Sequence, residues 1–399
     1  MTRRPFNIMA KPIGPRCNIA CSYCYYLDKE TLFPDEKKFR MSDEVLEAYT
    51  RQLIDASLAA GMREVTFAWQ GGEPTMLGVE FYAKALALQR RYAPAGITVT
   101  NVLQTNGMLL DNDWGRFLHD NGVLVGISID GPKQVHDRYR LDRAGRPSFD
   151  AVMRGLDVLQ RHGVAHNALT TVHRANGGKG REVYRFLKGL GIEHMQFIPI
   201  AERGGPDGLA AVPQIDSDPG PAVTDWSVRP RAYGKFLCDV FDTWIKRDVG
   251  RIFVQHFDAM LGKWLGRPGG LCVFAETCGD GLALEHDGSL YSCDHYVFPD
   301  YRLGRITDTP LDQMLWTDRQ TAFGQHKRDS LTAQCRACPF RAACNGGCPK
   351  HRFATSRSGE GGHNYFCESY TMFFHHAQPR LNDMARLVAS GRSAAEVMA

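Results

Sequence analysis

The sequence predicts an α/β fold built from repeated strand and helix units, followed by a small cysteine-rich domain. Extended apolar stretches alternate with helical patterns through the first two hundred residues. Eight of the twelve cysteines then fall between residues 272 and 367. Strands that alternate with helices are typical of parallel strands joined by right-handed crossovers, in an open sheet or a barrel segment. A late group of cysteines indicates a small domain stabilised by metal.

The repeated units are placed by their apolar periodicity and their helix end signals. The predicted strands lie at residues 6–12, 65–71, 98–107, 124–131, 166–173 and 194–200. The predicted helices lie at residues 42–61, 79–93, 111–120, 150–162 and 180–191. Ser42 can cap the first helix, and the acidic residues Asp43 and Glu44 complement the positive end of its dipole.

Composition changes suggest three segments. Residues 202–230 are rich in Gly, Pro and Asp and are predicted to be a loop or boundary. An amphipathic helix is predicted just after it, from residue 231. We therefore predict a first domain at 1–230, a linker helix region at 231–265 and a cysteine-rich domain at 266–399.

The overall composition limits the classes of function. The chain has 399 residues, 43% of them hydrophobic, and can bury at least one full core. It has no apolar segment of the length expected for a signal peptide or a membrane span, so we expect a cytoplasmic protein with no membrane partner. The formal charge is +4, and no basic run with interleaved aromatic residues is present, so no nucleic-acid partner is expected.

The stretch CNIACSYCYY holds three cysteines after the first predicted strand, at Cys17, Cys21 and Cys24. Cysteines in the cytoplasm stay reduced, which favours metal or redox chemistry over disulfides. Three thiolates without a fourth leave one iron of a four-iron cluster open to a substrate or cofactor. A zinc site, which would normally be closed by a fourth ligand, is the alternative.

This C-x3-C-x2-C motif, with an aromatic residue at Tyr23, resembles the radical S-adenosylmethionine (SAM) superfamily. The resemblance implies an α/β fold of the partial (β/α)6 TIM-barrel type, with SAM bound to the open iron. The sequence QGGEP follows the second predicted strand and is similar to the motif that meets the SAM amino group in this superfamily. The implied SAM-binding residues are Tyr23, Gly71, Gly72, Glu73, Ser128 and Arg140. The alternatives are that Gly71 and Gly72 form an ordinary turn, that Ser128 is a turn-forming residue and that Arg140 is a surface residue.

The late cysteines resemble the SPASM domain of radical SAM enzymes, which binds two auxiliary iron–sulfur clusters. By this resemblance Cys272, Cys278, Cys293 and Cys348 hold the first auxiliary cluster, and Cys335, Cys338, Cys344 and Cys367 hold the second. The spacing of the cysteines in the sequence does not by itself show which of them belong to which cluster. Cys238 remains unused on its predicted helix and is expected to be a small core residue. A pair of zinc ribbons is the alternative.

Over nearly its full length the chain resembles the anaerobic sulfatase-maturating enzymes. This implies oxidation of a Cys or Ser in a sulfatase to Cα-formylglycine, with SAM and three [4Fe–4S] clusters as cofactors. Asp294, next to Cys293, would be the catalytic base, and Tyr25 and Gln70 are candidate substrate contacts. The implied partners are a sulfatase polypeptide with a Cys/Ser-x-Pro/Ala-x-Arg motif and an electron donor such as flavodoxin or ferredoxin.

Two other functions remain open. Another SPASM enzyme could cross-link, epimerise or form a thioether in a different ribosomal peptide. Asp294 counts against this alternative, as does a first strand beginning near Phe6, which leaves no room for a preceding peptide-recognition domain. A zinc-stabilised binding module without enzymatic activity is the weaker alternative.

Overall fold

The computed structural model describes residues 3–34, 36, 38–205, 208–209, 223–268 and 270–398. The strands are β1 (Asn7–Lys11), β2 (Glu64–Trp69), β3 (Thr98–Thr105), β4 (Leu124–Ser128), β5 (His166–Val172), β6 (His194–Pro199), β7 (Gly204–Gly205), β8 (Gly208–Leu209), β9 (Phe253–Val254), β10 (Gly281–Glu285), β11 (Ser289–Tyr291) and β12 (Arg302–Arg305).

The helices are α1 (Asp43–Ala59), α2 (Val79–Tyr92), α3 (Asn112–Asp120), α4 (Lys133–His136), α5 (Phe149–Arg161), α6 (Gly180–Gly189), α7 (Pro230–Trp244), α8 (Gln255–Trp264), α9 (Leu311–Leu315), α10 (Asp318–Asp329), α11 (Ala333–Arg336), α12 (Arg341–Cys344) and α13 (Cys367–Ala389). Short 3₁₀ helices lie at Leu27–Leu32, Pro74–Leu77, Cys272–Phe274, Asp294–Tyr296, Pro299–Tyr301, Pro349–His351 and Ala394–Met398. No helix in the described ranges has the length and apolar character needed to span a membrane.

The first compact unit comprises Met1–Ser128, Arg140–His166 and Gly279–Gly324. Its strands are hydrogen-bonded in the order β12, β11, β10, β1, β2, β3, β4. Neighbours from β10 to β4 are parallel, whereas β11 and β12 extend the sheet in antiparallel pairs. The carboxyl ends of parallel strands are where α/β folds bind ligands, and the loops after β1 and β2 both start at this edge.

Aromatic residues fill the layer between this sheet and its helices. Val65, Phe67 and Trp69 alternate along β2 and are buried. The ring of Tyr49 on α1 packs edge-on against Phe67 and Trp69, with centroids 5.4 and 5.8 Å away. Ser42 caps α1 by accepting a hydrogen bond from the Val45 N–H, as its sequence predicts.

The second compact unit comprises Ile129–Tyr139, Asn167–Cys278 and Gln325–Ala399. In it β5 pairs with β6 and β6 with β9, both in parallel, and β7 pairs with β8 in antiparallel fashion. Helices α7 and α13 form much of its core, where the rings of Tyr233 and Phe366 lie 5.4 Å apart and those of Phe241 and Phe373 lie 5.8 Å apart. Cys367 begins α13, and the buried face of this helix fixes the position of the thiol.

The predicted alternation of strand and helix is confirmed through β6, with ends that differ by a few residues. The helix predicted from residue 231 is α7, and α8 was not predicted. The loop predicted at 202–230 falls partly on 206–207 and 210–222, which lie outside the described residues. The domain boundaries at 230 and 265 stay a prediction.

Candidate active site and cluster sites

The loop after β1 brings its three cysteines into a largely buried position. Cys17 and Cys21 are buried and Cys24 is partly buried. The Asn106 side-chain amide lies 3.8 Å from the Cys17 sulfur and donates a 2.7 Å hydrogen bond to the Asn18 amide oxygen. Burial, and then the charge of Glu73, raises the pKa of Cys17 to about 12. The raised pKa favours the protonated thiol in the absence of metal. A bound metal favours the thiolate instead, because thiolates are the ligands, so the loop fits a metal cluster.

The glycine-rich loop after β2 is joined directly to the cysteine loop. The Gly72 N–H donates to the Gly14 carbonyl at 2.8 Å, and the Glu73 N–H donates to the Arg16 carbonyl at 2.8 Å. A Cβ added to Gly72 would lie only 1.8 Å from the Arg16 carbonyl oxygen. Glycine is therefore required at this position by close backbone approach, which is one of its usual roles.

The carboxylate of Glu73 is buried and is held by four hydrogen bonds. One oxygen accepts from the Thr75 N–H (3.0 Å), the Thr75 hydroxyl (2.5 Å) and the Thr105 hydroxyl (2.7 Å). The other accepts from the Asn106 N–H at 2.7 Å. Burial raises the pKa of Glu73, and these hydrogen bonds oppose that rise. The side chain therefore fixes the loops after β2 and β3.

Other predicted SAM-binding residues lie in the same unit. The Arg140 guanidinium lies 5.5 Å from the centre of the buried Tyr23 ring. The segment after Arg140 is tied to the cysteine loop, because the Ala20 N–H donates to the Leu141 carbonyl at 2.8 Å and the Arg143 Nε donates to the Cys17 carbonyl at 2.7 Å. Ser128 is buried at the carboxyl end of β4.

Asp294, Tyr25 and Gln70 meet around Lys11, the last residue of β1. The Lys11 ammonium forms an ion pair with Asp294 Oδ1 at 2.5 Å and donates to Gln70 Oε1 at 2.9 Å. The Tyr25 hydroxyl donates to Asp294 Oδ2 at 2.6 Å. The Lys11 side chain is 1% exposed and that of Asp294 is 18% exposed, so Asp294 is the more accessible member of the pair.

The charge on Asp294 is maintained by these neighbours. Burial tends to raise its pKa, but Lys11, His295 and the Tyr25 hydrogen bond together hold the pKa well below its usual range. A second layer supports the lysine: its ammonium lies 3.9 Å from the centre of the Tyr26 ring, and the Tyr26 hydroxyl donates to Glu285 at 2.6 Å. The result is an ionised carboxylate in a fixed position.

Lys11, Tyr26, Glu285 and Asn106 were missed in the sequence. Lys11 offered one signal, because it is the charged residue that ends the apolar strand FNIMAK just before a proline. A charged residue at the carboxyl end of a buried parallel strand points to the ligand-binding edge. Asn106 lies in the loop that follows β3, where the same reasoning applies.

Four thiols in the second unit line one cavity of about 700 Å³: Cys335, Cys338, Cys344 and Cys367. Burial raises the pKa of Cys344 to about 12, with further contributions from the other three thiols. The mutual electrostatic interactions mean that these four sulfurs lie near each other around an open volume. This arrangement fits a cluster closed by four cysteines.

A second set of thiols in the same unit comprises Cys272, Cys278 and Cys348. Burial raises the pKa of Cys278 to about 12, and the charges of Cys348 and Cys272 add to the rise while Lys327 opposes it. Cys293 lies in the first unit, and Cys238 is half-buried on α7. Within the described ranges, no three His, Cys, Asp or Glu side chains are grouped as ligands of a single metal ion.

All twelve cysteines, each within the described ranges, are outside disulfides. This agrees with the expectation that the thiols serve metal or redox chemistry. The structure therefore brings together the cysteine loop, the Gly71–Glu73 loop, Tyr23 and Arg140 in one group, and Asp294, Tyr25 and Gln70 in another.

Two family models match the chain. The Radical SAM superfamily model matches residues 12–187. A model described as an iron–sulfur cluster-binding domain, SPASM, matches residues 272–339. The predicted fold class, an α/β radical SAM domain followed by a SPASM domain, is confirmed.

Curated relatives cover almost the whole chain. A serine-type anaerobic sulfatase-maturating enzyme of Bacteroides thetaiotaomicron is 42% identical over 99% of this chain and 95% of the relative. A cysteine-type anaerobic sulfatase-maturating enzyme of Clostridium perfringens is 32% identical over 96% of this chain and 98% of the relative. A solved structure described as native anSMEcpe with bound AdoMet and Kp18Cys peptide matches with a TM-score of 0.82 and 32% identity, over 96% of this chain and 99% of that one.

Proposed function

Because this chain belongs to the family of anaerobic sulfatase-maturating enzymes, we propose that it oxidises one serine or cysteine side chain of a sulfatase polypeptide to Cα-formylglycine. The observation that carries the proposal is the ionised Asp294, held by Lys11 and Tyr25 beside Gln70. It lies in the same compact unit as the three-cysteine loop. A base and a radical-generating centre are two of the components that this oxidation needs, together with an acceptor for the released electron.

The cofactors of the family are SAM and iron–sulfur clusters. When bound, SAM and a reduced [4Fe–4S] cluster would supply radical abstraction of a hydrogen atom at the target carbon, and the auxiliary clusters would supply an electron acceptor. Cys17, Cys21 and Cys24 would ligate the first cluster. Tyr23, Gly71, Gly72, Ser128 and Arg140 would line the SAM site, with the Glu73 side chain shaping the loop.

Asp294 would remove the second hydrogen as a proton. The target side chain loses one hydrogen atom from carbon, one proton from oxygen or sulfur, and one electron, which together convert a C–O or C–S single bond to a double bond. The hydroxyl or thiol proton becomes more acidic as the carbon is oxidised, and Asp294, kept ionised by its neighbours, is in the deprotonated form that can accept it. A thioaldehyde formed from cysteine would then be hydrolysed to the aldehyde.

Lys11, Tyr25 and Gln70 would position the base and the substrate. Lys11 reaches both Asp294 and Gln70, so it links the carboxylate to the loop after β2. Gln70 also donates to Gln104 Oε1 at 2.6 Å, which fixes its amide in one orientation. Because hydrogen bonds fix these side chains, they can hold the base in productive geometry at little entropic cost during the reaction.

We assign the auxiliary clusters in the same way as the family resemblance does. The four thiols around the cavity, Cys335, Cys338, Cys344 and Cys367, would hold one cluster. Cys272, Cys278 and Cys348 would hold the other, with Cys293 as its fourth ligand by resemblance. The electrostatic grouping of the thiols supports the division of the second unit's cysteines into these sets.

The substrate segment would carry a Cys/Ser-x-Pro/Ala-x-Arg motif, and a flavodoxin or ferredoxin would supply the electrons. Thiols outside disulfides and clusters that need a reducing environment support a cytoplasmic location. The serine-type relative is more similar to this chain than the cysteine-type relative, which supports serine as a substrate.

The proposal predicts oxidation of short peptides that carry the motif. Reconstituted, dithionite-reduced protein is incubated anaerobically with SAM and a Ser or Cys peptide, and the products are read by mass spectrometry. We expect the Ser peptide to lose two hydrogens, and the Cys peptide to lose sulfur and two hydrogens while gaining one oxygen. Formation of 5′-deoxyadenosine with both peptides unchanged would contradict the sulfatase assignment and favour another ribosomal peptide as substrate.

The ligand assignment predicts different effects for two cysteine substitutions. Cys344→Ser removes a thiol from the cavity and is expected to lower iron content by about one third, because one of three clusters is lost. Cys238→Ser is the matched control and is expected to leave iron content unchanged, since Cys238 lies on α7 apart from both thiol sets. Equal iron loss in the two variants, measured after anaerobic reconstitution, would refute the assignment.

A further inference from the structure

Two cationic side chains of the second unit, Lys327 and Arg352, are buried without a carboxylate partner. Lys327 is 1% exposed and Arg352 is 3% exposed. No Asp or Glu among the described residues pairs with either of them, whereas the neighbouring Arg328 pairs with Asp329 at 2.7 Å. A buried cation is costly unless a negative charge and hydrogen bonds compensate it, so these two residues require an explanation.

Lys327 is directed at the backbone that carries a cluster thiol. Its ammonium donates to the Cys272 carbonyl at 2.6 Å and to the Val273 carbonyl at 3.1 Å. Carbonyl oxygens satisfy the hydrogen-bond donors but leave the positive charge unbalanced. Three thiols interact electrostatically with this charge: Cys348, Cys278 and Cys272. All three belong to the set assigned to the first auxiliary cluster.

Arg352 is directed at the loop that joins the two sets of thiols. Its guanidinium donates to the carbonyls of Asn345 at 3.0 Å and Gly346 at 3.1 Å, and to the Lys327 carbonyl at 2.6 Å. Asn345 and Gly346 lie between Cys344 of one set and Cys348 of the other. The thiols that interact with Arg352 come from both sets: Cys335, Cys348, Cys278 and Cys344.

The clusters supply the missing negative charge. A [4Fe–4S] core of charge +2 with four thiolates carries a net charge of about −2, and one-electron reduction makes it more negative. A cation fixed nearby in a low-dielectric interior stabilises the reduced form more than the oxidised form. The position of each cation therefore determines which cluster it affects.

We propose that Lys327 and Arg352 are built-in counter-cations of the auxiliary clusters, Lys327 acting on the first and Arg352 on both. They raise the reduction potentials of these clusters, which makes the clusters better acceptors of the electron released by the substrate. This inference rests on the proposed cluster ligands. The two residues are positioning residues, because they act through the clusters and do not contact substrate.

The test is a redox titration of reconstituted protein, monitored by electron paramagnetic resonance. Lys327→Gln keeps a hydrogen-bond donor but removes the charge. We expect it to lower the midpoint potential of one auxiliary cluster, with the ratio of reduced to oxidised cluster at fixed potential falling about tenfold, equivalent to about 59 mV for a one-electron couple. Arg352→Gln is expected to shift two clusters.

Charge-retaining and surface variants serve as controls. Lys327→Arg and Arg352→Lys keep the charge and are expected to leave the potentials near those of the wild type. Arg328→Gln removes a charge from the next position on α10, where the side chain interacts with Asp329 and Glu276, and is expected to change nothing. The cluster at Cys17, Cys21 and Cys24 is the internal reference, since its neighbours Lys11 and Arg140 remain.

Each outcome is decisive. Unchanged potentials in Lys327→Gln and Arg352→Gln, or an equal shift in Arg328→Gln, would overturn the proposal. If a Gln variant fails to retain its cluster, the iron content of the matching charge-keeping variant is compared with it. Retention of the cluster in the charge-keeping variant supports the proposal. Equal loss of iron in both variants contradicts it. Failure of the wild-type protein to hold three clusters would instead refute the proposed ligands, so the two failures are distinguishable.

Discussion

Asp294→Asn is expected to lower peptide oxidation by about 10²–10⁴-fold, the usual contribution of a positioned general base. Asparagine has nearly the same shape as aspartate but cannot accept the substrate proton or balance the Lys11 charge. Formation of 5′-deoxyadenosine depends on the three-cysteine loop and is expected to continue. The measurement follows both products in one anaerobic reaction, with the oxidised peptide read by mass spectrometry and 5′-deoxyadenosine by chromatography.

The control for this substitution is Asp312→Asn, which makes the same chemical change at an exposed position on α9. It is expected to retain wild-type rates of both products. Iron content is measured in both variants, because Asp294 follows a proposed cluster ligand and a lost cluster would lower the rate for a different reason. If the Asp294→Asn variant oxidised the peptide at the wild-type rate, Asp294 would be ruled out as the base.

Gly72→Ala is expected to lower SAM cleavage by about 10²-fold or more, since displacement of about 1 Å in a catalytic site has a cost of this size. The added Cβ would lie 1.8 Å from the Arg16 carbonyl oxygen, so the backbone of one loop must move. This movement would break the hydrogen bonds of Gly72 and Glu73 to the cysteine loop. The measurement is the rate of 5′-deoxyadenosine formation by dithionite-reduced protein, together with iron content.

Gly178→Ala is the matched control, because a Cβ at that loop glycine would have no atom within 4 Å. It is expected to behave as wild type. A Gly72→Ala variant that cleaves SAM at the wild-type rate would show that the spacing of the two loops does not matter for the radical reaction. Loss of iron together with activity would indicate that the contact is needed already for cluster assembly.

Local patterns in the sequence predicted strands β1–β6, helices α1–α3 and α5–α7, and the motifs, because each depends on residues close together in the chain. The C-x3-C-x2-C loop and the glycine-rich loop after β2 are examples. The group around Lys11 could not be derived in this way, since Lys11 and Asp294 are 283 positions apart and meet only because β1 pairs with β10. The roles of Tyr25 and Gln70 likewise depended on knowing that Tyr25 donates to Asp294 and that Lys11 links Asp294 to Gln70.

The cysteines illustrate the same limit. Spacing indicated eight late thiols but gave no rule for dividing them, because ligands of one cluster need not be neighbours in sequence. In the folded chain, seven thiols of the second unit separate into two electrostatic groups. Glu73 differs for another reason: the motif identified it as part of the SAM site, and only the structure reveals that its carboxylate is already fully hydrogen-bonded.

The two backbone hydrogen bonds between the cysteine loop and the Gly71–Glu73 loop have a kinetic consequence. They link the backbones of the two loops, so we expect thermal motion to displace both loops together. An arriving cofactor therefore meets a surface that is already shaped and need not order it, which reduces the entropic cost of binding. Successive turnovers can then begin from the same starting geometry, without a slow rearrangement after each product leaves.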